Sequence, residues 1–225
     1  MSHDNNFVII LSYYVMNIYE ACMNRKNQYS LLLLAGGKSS RMGKNKAELV
    51  YDGKTFLEIM MEKGNALGIE ELYISGYEPK RNDIHVVWDI YTERGPLGGL
   101  HACMKQINTP FCLVVPVDAP KLSVEILEDL LIFHEKNRDG LKGEREIPLL
   151  WHHGERIEPL IAVYPVNAAE EIEEVIREKS APVFRALDRT GYECFHREME
   201  EEQIINVNTP ELYAELLKSI ERDKK

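Results

Sequence analysis

Two adjacent glycines and several basic residues follow the first strongly apolar run of the chain, at a spacing suited to holding a polyphosphate. The run, Leu31–Leu34, leads into Gly36 and Gly37, where the backbone can turn sharply and bring its N–H groups close to an anion. Arginine and lysine side chains beside those N–H groups would add charge-assisted hydrogen bonds to phosphate oxygens. The basic residues are Lys38, Arg41, Lys44 and Lys46.

The spacing of this segment excludes two common phosphate-binding motifs. A P-loop has four residues between its glycines and then Lys-Ser/Thr, whereas five residues separate Gly37 from Gly43, and Asn45 follows Lys44. The G-x-G-x-x-G dinucleotide fingerprint is absent as well. A simpler alternative is a glycine-rich turn between a strand and a helix whose basic side chains are only solvated.

A carboxylate stands at the end of a second buried strand. Asp118 follows the apolar run that begins at Phe111, and ligands of open parallel sheets bind at the carboxyl ends of the strands. A carboxylate beside bound phosphates commonly holds Mg²⁺ together with the phosphate oxygens. The alternative is that Asp118 caps the turn before Pro120.

Two further segments carry polar residues at element ends. Asp89 ends a short apolar run and precedes Gly95-Pro96-Leu97, which opens a helix whose N-terminus could face a phosphate. Asn206 and Asn208 precede Thr209-Pro210, a pattern that a simple helix cap would also produce.

The elements that must position these residues alternate along the chain, which predicts an α/β fold with a mostly parallel sheet. The loop 136–146 is expected to be mobile and exposed, and the histidines to lie on the surface or in turns. We expect strands at 30–35, 72–75, 84–88, 111–117, 149–152, 159–164, 191–196 and 204–207, and helices at 55–67, 96–106, 123–134, 167–179 and 209–220.

Composition limits the classes of protein that fit. The 225 residues are 44% hydrophobic and 28% charged, as in a globular domain, and a net charge of −10 argues against nucleic-acid binding. The four cysteines form no C-x-x-C, so they predict neither a zinc site nor a disulfide framework and suit the cytoplasm. The apolar stretch Phe7–Val15 is too short to span a bilayer.

The motif L-A-G-G-x-S-x-R-M-G-x-x-K-A, from Leu34 to Ala47, resembles the signature loop of the molybdenum cofactor guanylyltransferases, the molybdopterin-guanine dinucleotide biosynthesis protein A family. G-P-L-x-G, D-x-P and N-x-N-T-P also match that family, and the resemblance extends from Leu31 to about Leu217. It implies a Rossmann-like three-layer nucleotidyltransferase fold with a mostly parallel central sheet. We expect residues 1–22 to be an N-terminal extension of doubtful relevance and residues 23–225 to form a single nucleotidyltransferase domain.

The resemblance also implies an activity and a set of site residues. Family members transfer GMP from GTP to the terminal phosphate of molybdopterin and release pyrophosphate. Ser75 stands where some members place an Asn, and Glu93 is an alternative to Asp89. The implied catalytic residues are Arg41, Lys46 and Asp118, with Asp118 as the ligand of Mg²⁺. The implied GTP-binding residues are Leu34, Ala35, Gly36, Gly37, Lys46, Ser75, Asp89 and Asp118. The implied acceptor-binding residues are Pro159, Asn206 and Asn208, although related enzymes also use a late Asn to hold the metal.

Other functions remain open at this point. Relatives that use CTP or UTP tend to carry Ala-Ala-Gly where this chain has Ala35-Gly36-Gly37, so the extra glycine favours guanine over cytosine. The alternatives are a cytidylyltransferase of molybdopterin, a nucleotidyltransferase for another phosphorylated acceptor, and a non-catalytic accessory protein. The expected partners are GTP, molybdopterin and proteins that assemble or accept the molybdenum cofactor, with no nucleic acid and no membrane.

Overall fold

A computed structural model of the protein describes residues 25–36, 45–138, 145–178, 182–198 and 206–223. Strands and helices alternate over most of this length, as the apolar pattern predicts. The strands are β1 (Tyr29–Leu34), β2 (Val50–Tyr51), β3 (Lys54–Thr55), β4 (Leu72–Ser75), β5 (His85–Val87), β6 (Phe111–Pro116), β7 (Leu149–His153), β8 (Arg156–Pro165) and β9 (Glu193–His196). The α-helices are α1 (Phe56–Ala66), α2 (Pro96–Met104), α3 (Val124–Arg138), α4 (Ala169–Ile176), α5 (Val183–Thr190) and α6 (Pro210–Asp223).

The central sheet has the strand order β5-β4-β1-β6-β8-β7-β9 in the described part of the chain. Neighbouring strands pair in parallel on both sides of β1, and β8 runs antiparallel to β6 and β7. After β1 the chain first adds β4 and β5 on one side of β1, and then adds β6 on the other side. The switch point between β1 and β6 is where open α/β sheets form their ligand crevice.

Each face of the sheet is covered by helices, which makes three layers. The alternation of side chains along β1 places Leu31 and Leu33 in one apolar cluster, and Leu32 and Leu34 in another. Helices α1, α3 and α6 contribute to the first cluster, and α2, α4 and α5 contribute to the second. The α/β fold with a mostly parallel central sheet is therefore confirmed.

The start of α1 shows how local sequence fixes an element. Thr55 Oγ1 accepts a hydrogen bond from the backbone N–H of Glu58 at 3.2 Å, and Glu58 Oε2 accepts one from the Thr55 N–H at 2.7 Å. This reciprocal capping box satisfies two backbone donors at the helix end. At the other end of the chain, Thr209 Oγ1 accepts a hydrogen bond from Leu212 N at 3.3 Å, which places the predicted cap before α6.

Several predicted boundaries were wrong. Helix α3 continues to Arg138, so residues 136–138 of the predicted loop are helical; residues 139–144 lie outside the described part. The helix predicted over 167–179 is a short 3₁₀ turn followed by α4, which ends at Ile176. Asn206 and Val207 belong to no strand, and the rest of that predicted strand, 204–205, is outside the described residues.

Helix α5 was missed altogether. Its buried residues, Ala186, Leu187 and Thr190, recur at helical spacing, with Val183 partly buried one turn earlier. Eight residues give too short a periodic signal to stand out between polar neighbours. No helix of the described residues has the length and apolar character needed to cross a membrane.

The turns that follow β1 and β4 touch through their glycines. Ala35 N donates to Ser75 O at 3.0 Å, which continues the strand pairing by one residue. A Cβ on Gly76 would lie 2.3 Å from Gly36 Cα and 2.8 Å from Gly36 N, and Gly76 has a φ of +77°. Only glycine at position 76 therefore allows the turn after β1 to take this path.

Gly76→Ala should destabilise the protein and displace the turn at Gly36. Gly53→Ala is the matched control, because Gly53 has a similar φ of +82° and nothing within 4 Å of its missing Cβ. The control should lose about 1 to 2 kcal/mol from the positive φ alone. Gly76→Ala should lose about 1 to 3 kcal/mol more, from overpacking against backbone atoms. Urea unfolding of both variants measures the difference, and equal losses would contradict the contact.

Candidate active site

The implied site residues that the structure describes gather at the carboxyl edge of the sheet. Leu34 ends β1, Ser75 ends β4, and Asp118 follows the end of β6 by two residues. Asp89 comes two residues after β5, in the same direction along the sheet. Gly37 and Arg41 lie outside the described residues, as do Lys38 and Lys44, so their roles stay predictions.

Lys46 and Asp118 form the central ion pair of this edge. Lys46 Nζ lies 2.5 Å from Asp118 Oδ2 and also donates to Asn208 Oδ1. The two charged side chains are 21% and 14% exposed, so the pair is partly buried and screened less than a surface pair. Three distant parts of the sequence thus meet at one ammonium group.

The Asp118 backbone is held from several sides. Val117 N donates to Leu34 O at 3.2 Å, which ties the end of β6 to the end of β1. Asp118 O accepts a hydrogen bond from Val207 N at 2.8 Å, which brings the Asn206–Asn208 segment against it. The carboxylate therefore stands on a fixed backbone.

Lys63 supports the same turn and was not recognised as a site residue. Its Nζ donates to Pro120 O at 2.6 Å, across the turn that follows Asp118. Burial lowers the pKa of Lys63 to about 8. The signal in the sequence was a lysine in line with the apolar positions Phe56 and Met60 of α1, where a hydrophobic residue is usual.

A second polar pair lies at the ends of β4 and β5. Ser75 Oγ donates to Asp89 Oδ1 at 3.2 Å. Burial raises the pKa of Asp89, and the hydrogen bond from Ser75 opposes that shift. Asp89 is thus the carboxylate directed toward the β4 end, whereas Glu93 is exposed.

The G-P-L-x-G segment lets helix α2 approach this pair. A Cβ on Gly99 would lie 2.3 Å from Ser75 Oγ, and a Cβ on Gly98 would lie 3.0 Å from Asp89 Oδ2. Larger residues at either position would displace the polar pair. The two glycines therefore serve close packing of the helix against Ser75 and Asp89.

The segment after Asp89 is anchored to helix α4 by a network that the sequence did not reveal. Tyr91 Oη donates to Glu173 Oε1 at 2.8 Å, and Arg177 Nη2 donates to the same oxygen at 2.8 Å. These two hydrogen bonds hold the pKa of Glu173 near 2, well below its usual value. His101 lies 3.6 Å from the other Glu173 oxygen, and burial lowers the pKa of this histidine.

Of the implied acceptor residues, Pro159 lies on β8, and Asn206 and Asn208 lie in the segment that contacts Asp118. Strand β8 pairs with β6 and runs in the opposite direction, so its first half, with Pro159, lies toward the carboxyl edge. Pro159 O accepts a hydrogen bond from Tyr164 Oη at 2.8 Å. Asn206 Oδ1 is buried without a hydrogen-bond partner, and Asn208 contacts Lys46 as described above.

The adjacent histidines of β7 have different partners. His152 Nδ1 lies 3.0 Å from His196 Nε2, and His153 Nδ1 lies 3.0 Å from Glu198 Oε2. No group of three or more His, Cys, Asp or Glu side chains in the described residues could hold a metal by itself. A metal at this edge would need further oxygen ligands from substrate or water.

A hard divalent cation fits the Asp118 corner on the chemistry of its ligands. The carboxylate of Asp118 and the amide oxygen of Asn208 both face one positive charge, the Lys46 ammonium. Carboxylate and amide oxygens are the ligands that Mg²⁺ and similar ions prefer. The residues that would hold the cation are therefore Asp118 and Asn208.

Comparisons with known proteins agree with this fold. The model of the MobA-like NTP transferase domain family matches residues 31–193. The chain is 30% identical over 200 residues to molybdenum cofactor guanylyltransferase of Xanthomonas euvesicatoria pv. vesicatoria, covering 87% of this chain and 97% of that one. It is 29% identical over 204 residues to a "probable molybdenum cofactor guanylyltransferase" of Clostridium perfringens (strain 13 / Type A), covering 85% and 98%.

A solved structure shares the fold. Molybdopterin-guanine dinucleotide biosynthesis protein A from Archaeoglobus fulgidus has a TM-score of 0.66 at 24% identity, covering 86% of this chain and 99% of that one. The fold, the family model and these relatives define a nucleotidyltransferase. The chain belongs to the MobA-like NTP transferase family.

Tyr91→Phe should weaken nucleotide binding while it leaves the fold intact. The variant keeps the ring but loses the hydroxyl that anchors the Asp89 segment to Glu173, at a cost of about 1 kcal/mol in stability. We expect the KM for the nucleotide to rise several-fold, with kcat little changed, because the Asp89 segment would contact the bound nucleotide and not the reacting phosphorus.

Tyr29→Phe is the matched control for this prediction. Tyr29 Oη is hydrogen-bonded to His134 Nδ1 at 2.8 Å, near the amino end of β1 and away from the site. The control should lose similar stability and keep the wild-type KM. A KM that rises equally in both variants would show a general loss of stability instead of an anchored segment.

Proposed function

We propose that the protein transfers GMP from GTP to molybdopterin, to form the guanine dinucleotide cofactor with release of pyrophosphate. The observation that carries the proposal is the meeting of Lys46, Asp118 and Asn208 beside the turn at Gly36. The choice of GTP and molybdopterin comes from the two relatives described above, which are called molybdenum cofactor guanylyltransferases.

The triphosphate would lie against the backbone that follows β1. Ala35 N already donates to Ser75 O and Leu34 belongs to β1, so the N–H groups that would face the triphosphate oxygens are those of Gly36 and Gly37. Arg41 and Lys46 would balance its charge. Asp118 and Asn208 would hold Mg²⁺, which supplies charge neutralisation at the α-phosphate. The ribose and base would extend toward Ser75 and Asp89, at the ends of the next two strands.

The reaction requires little proton transfer from the protein. The terminal phosphate of molybdopterin is already an anion, so it can attack the α-phosphorus in line without a general base. Positioning and charge neutralisation then account for most of the catalysis, as in other phosphoryl transfers. Pro159 and Asn206 would contact the acceptor, because β8 pairs with β6 and the Asn segment is hydrogen-bonded to Asp118 through Val207.

Two features support guanine over cytosine as the base of the nucleotide. Gly36 is narrow enough to lie against Gly76, and the family resemblance associates this glycine with guanine. Ser75 donates its hydroxyl hydrogen bond to Asp89 Oδ1, so the group left to accept a hydrogen bond from a ligand is the Asp89 carboxylate. The N–H groups on the Watson–Crick edge of guanine suit such acceptors.

Calorimetry with GTP, CTP and ATP in the presence of Mg²⁺ tests the nucleotide. A clear preference for GTP supports the guanylyltransferase, and formation of the dinucleotide from added molybdopterin completes the test. A preference for CTP would instead indicate a cytidylyltransferase of molybdopterin. Failure of a folded protein to bind any of the three would favour an accessory role.

Asp118→Asn should reduce transfer by at least about 100-fold, because the neutral amide no longer balances a divalent cation. Asp188→Asn is the matched control, since Asp188 is exposed on α5. Pyrophosphate release with GTP and molybdopterin measures both. Near-normal turnover of Asp118→Asn would show that the Asp118 carboxylate is not needed for the reaction.

A further inference from the structure

The Lys46 ammonium occupies the position between the two oxygens that are best suited to a metal ion. Its Nζ is 2.5 Å from Asp118 Oδ2 and hydrogen-bonded to Asn208 Oδ1. The same oxygens form the only ligand set that the proposed function assigns to Mg²⁺. One carboxylate would therefore face a monovalent and a divalent cation at the same time.

Charge balance makes this sharing unfavourable without a nucleotide. The carboxylate contributes one negative charge and the amide of Asn208 none, against three positive charges in a partly buried corner. Two cations bound to the same carboxylate lie close together and repel each other strongly. Phosphate oxygens would remove the conflict, because they offer the ammonium another partner.

The lysine, and not the carboxylate, is the partner that can move. The Asp118 turn is tied to β1 through Val117, to the Asn segment through Val207, and to α1 through Lys63. Lys46 has a long side chain that is 21% exposed, in a 3₁₀ turn of three residues. An ammonium on a flexible stem can swing to a neighbouring anion at little cost.

We infer that Lys46 competes with the metal for Asp118 and Asn208, and that nucleotide phosphates couple metal and nucleotide binding by drawing the ammonium away. The inference rests on the proposed function, because it takes Asp118 as the metal ligand and a nucleoside triphosphate as the substrate. Lys46 then has two alternating positions, one on the carboxylate and one on the phosphates. The metal binds weakly alone and more tightly when the nucleotide holds the lysine.

The test measures Mn²⁺ binding to the full-length protein without nucleotide, from the electron paramagnetic resonance signal of the free ion. Lys46→Met should bind Mn²⁺ at least about fivefold more tightly than the wild type, the low end of ordinary coupling between sites. Lys46→Gln should show the same direction. In the double variant Lys46→Met, Asp118→Asn, the gain should disappear.

A second measurement separates this effect from damage to the fold. In EDTA, without metal, Lys46→Met should bind GTP more weakly than the wild type, because the phosphates lose a cation. The variant should therefore bind Mn²⁺ more tightly and GTP more weakly than the wild type. A misfolded variant would lose both.

Lys121→Met is the control for general electrostatics. Lys121 is three residues from Asp118, and its Nζ donates to Ser219 Oγ at 3.5 Å. Its removal should change Mn²⁺ affinity less than twofold. An equal gain in Lys121→Met, or no gain in Lys46→Met, would overturn the competition. Mn²⁺ binding that does not depend on Asp118 would overturn the metal assignment as well, whereas a preference for CTP would overturn only the guanine assignment.

Discussion

The register of β1 with its two neighbours is the constraint on which the site depends. Leu34 pairs with Ser75 of β4 and with Pro116 of β6, so three parallel strands end level with one another. The turns that follow them must then share a small space at one edge of the sheet. Gly36 and Gly76 make that space sufficient for the backbone, and Val117 N donates to Leu34 O just before Asp118. A shift of register by one residue would separate these turns and would turn the leucines of β1 toward the wrong face.

Much of this arrangement could be predicted from the sequence because it depends on local patterns. A run of leucines before a double glycine predicts a buried strand and a phosphate-binding turn, and the strand-end position of Asp118 follows from the apolar run before it. The position of Asp89 after a short apolar run places it at the same edge, where it is hydrogen-bonded to Ser75. Residues next to strand ends are predictable because parallel strands end at a common edge.

Contacts between distant segments could not be predicted in the same way. Tyr91 and Glu173 are 82 positions apart, and Lys63 reaches Pro120 across 57 positions. Neither pair carries a motif, since a tyrosine, a glutamate or a lysine on a helix usually faces solvent. Their partners follow from how helices α1 and α4 pack on the sheet. Helix α5 shows the same limit at the level of an element, because its short apolar pattern gains meaning only from the face that it covers.

The site combines two carboxylates on anchored backbone with one lysine whose side chain is more mobile. Asp118 and Asp89 each follow a strand and are held by neighbouring backbone or helix contacts, so their positions change little when a ligand binds. The Lys46 side chain is held only at its ammonium group, by the ion pair with Asp118 and the hydrogen bond to Asn208. In a chain with a net charge of −10, an anionic substrate is repelled at long range and must be attracted locally. A lysine that holds a carboxylate in one state and a phosphate in the other supplies that attraction where it is needed. It also keeps the carboxylate neutralised when no substrate is bound.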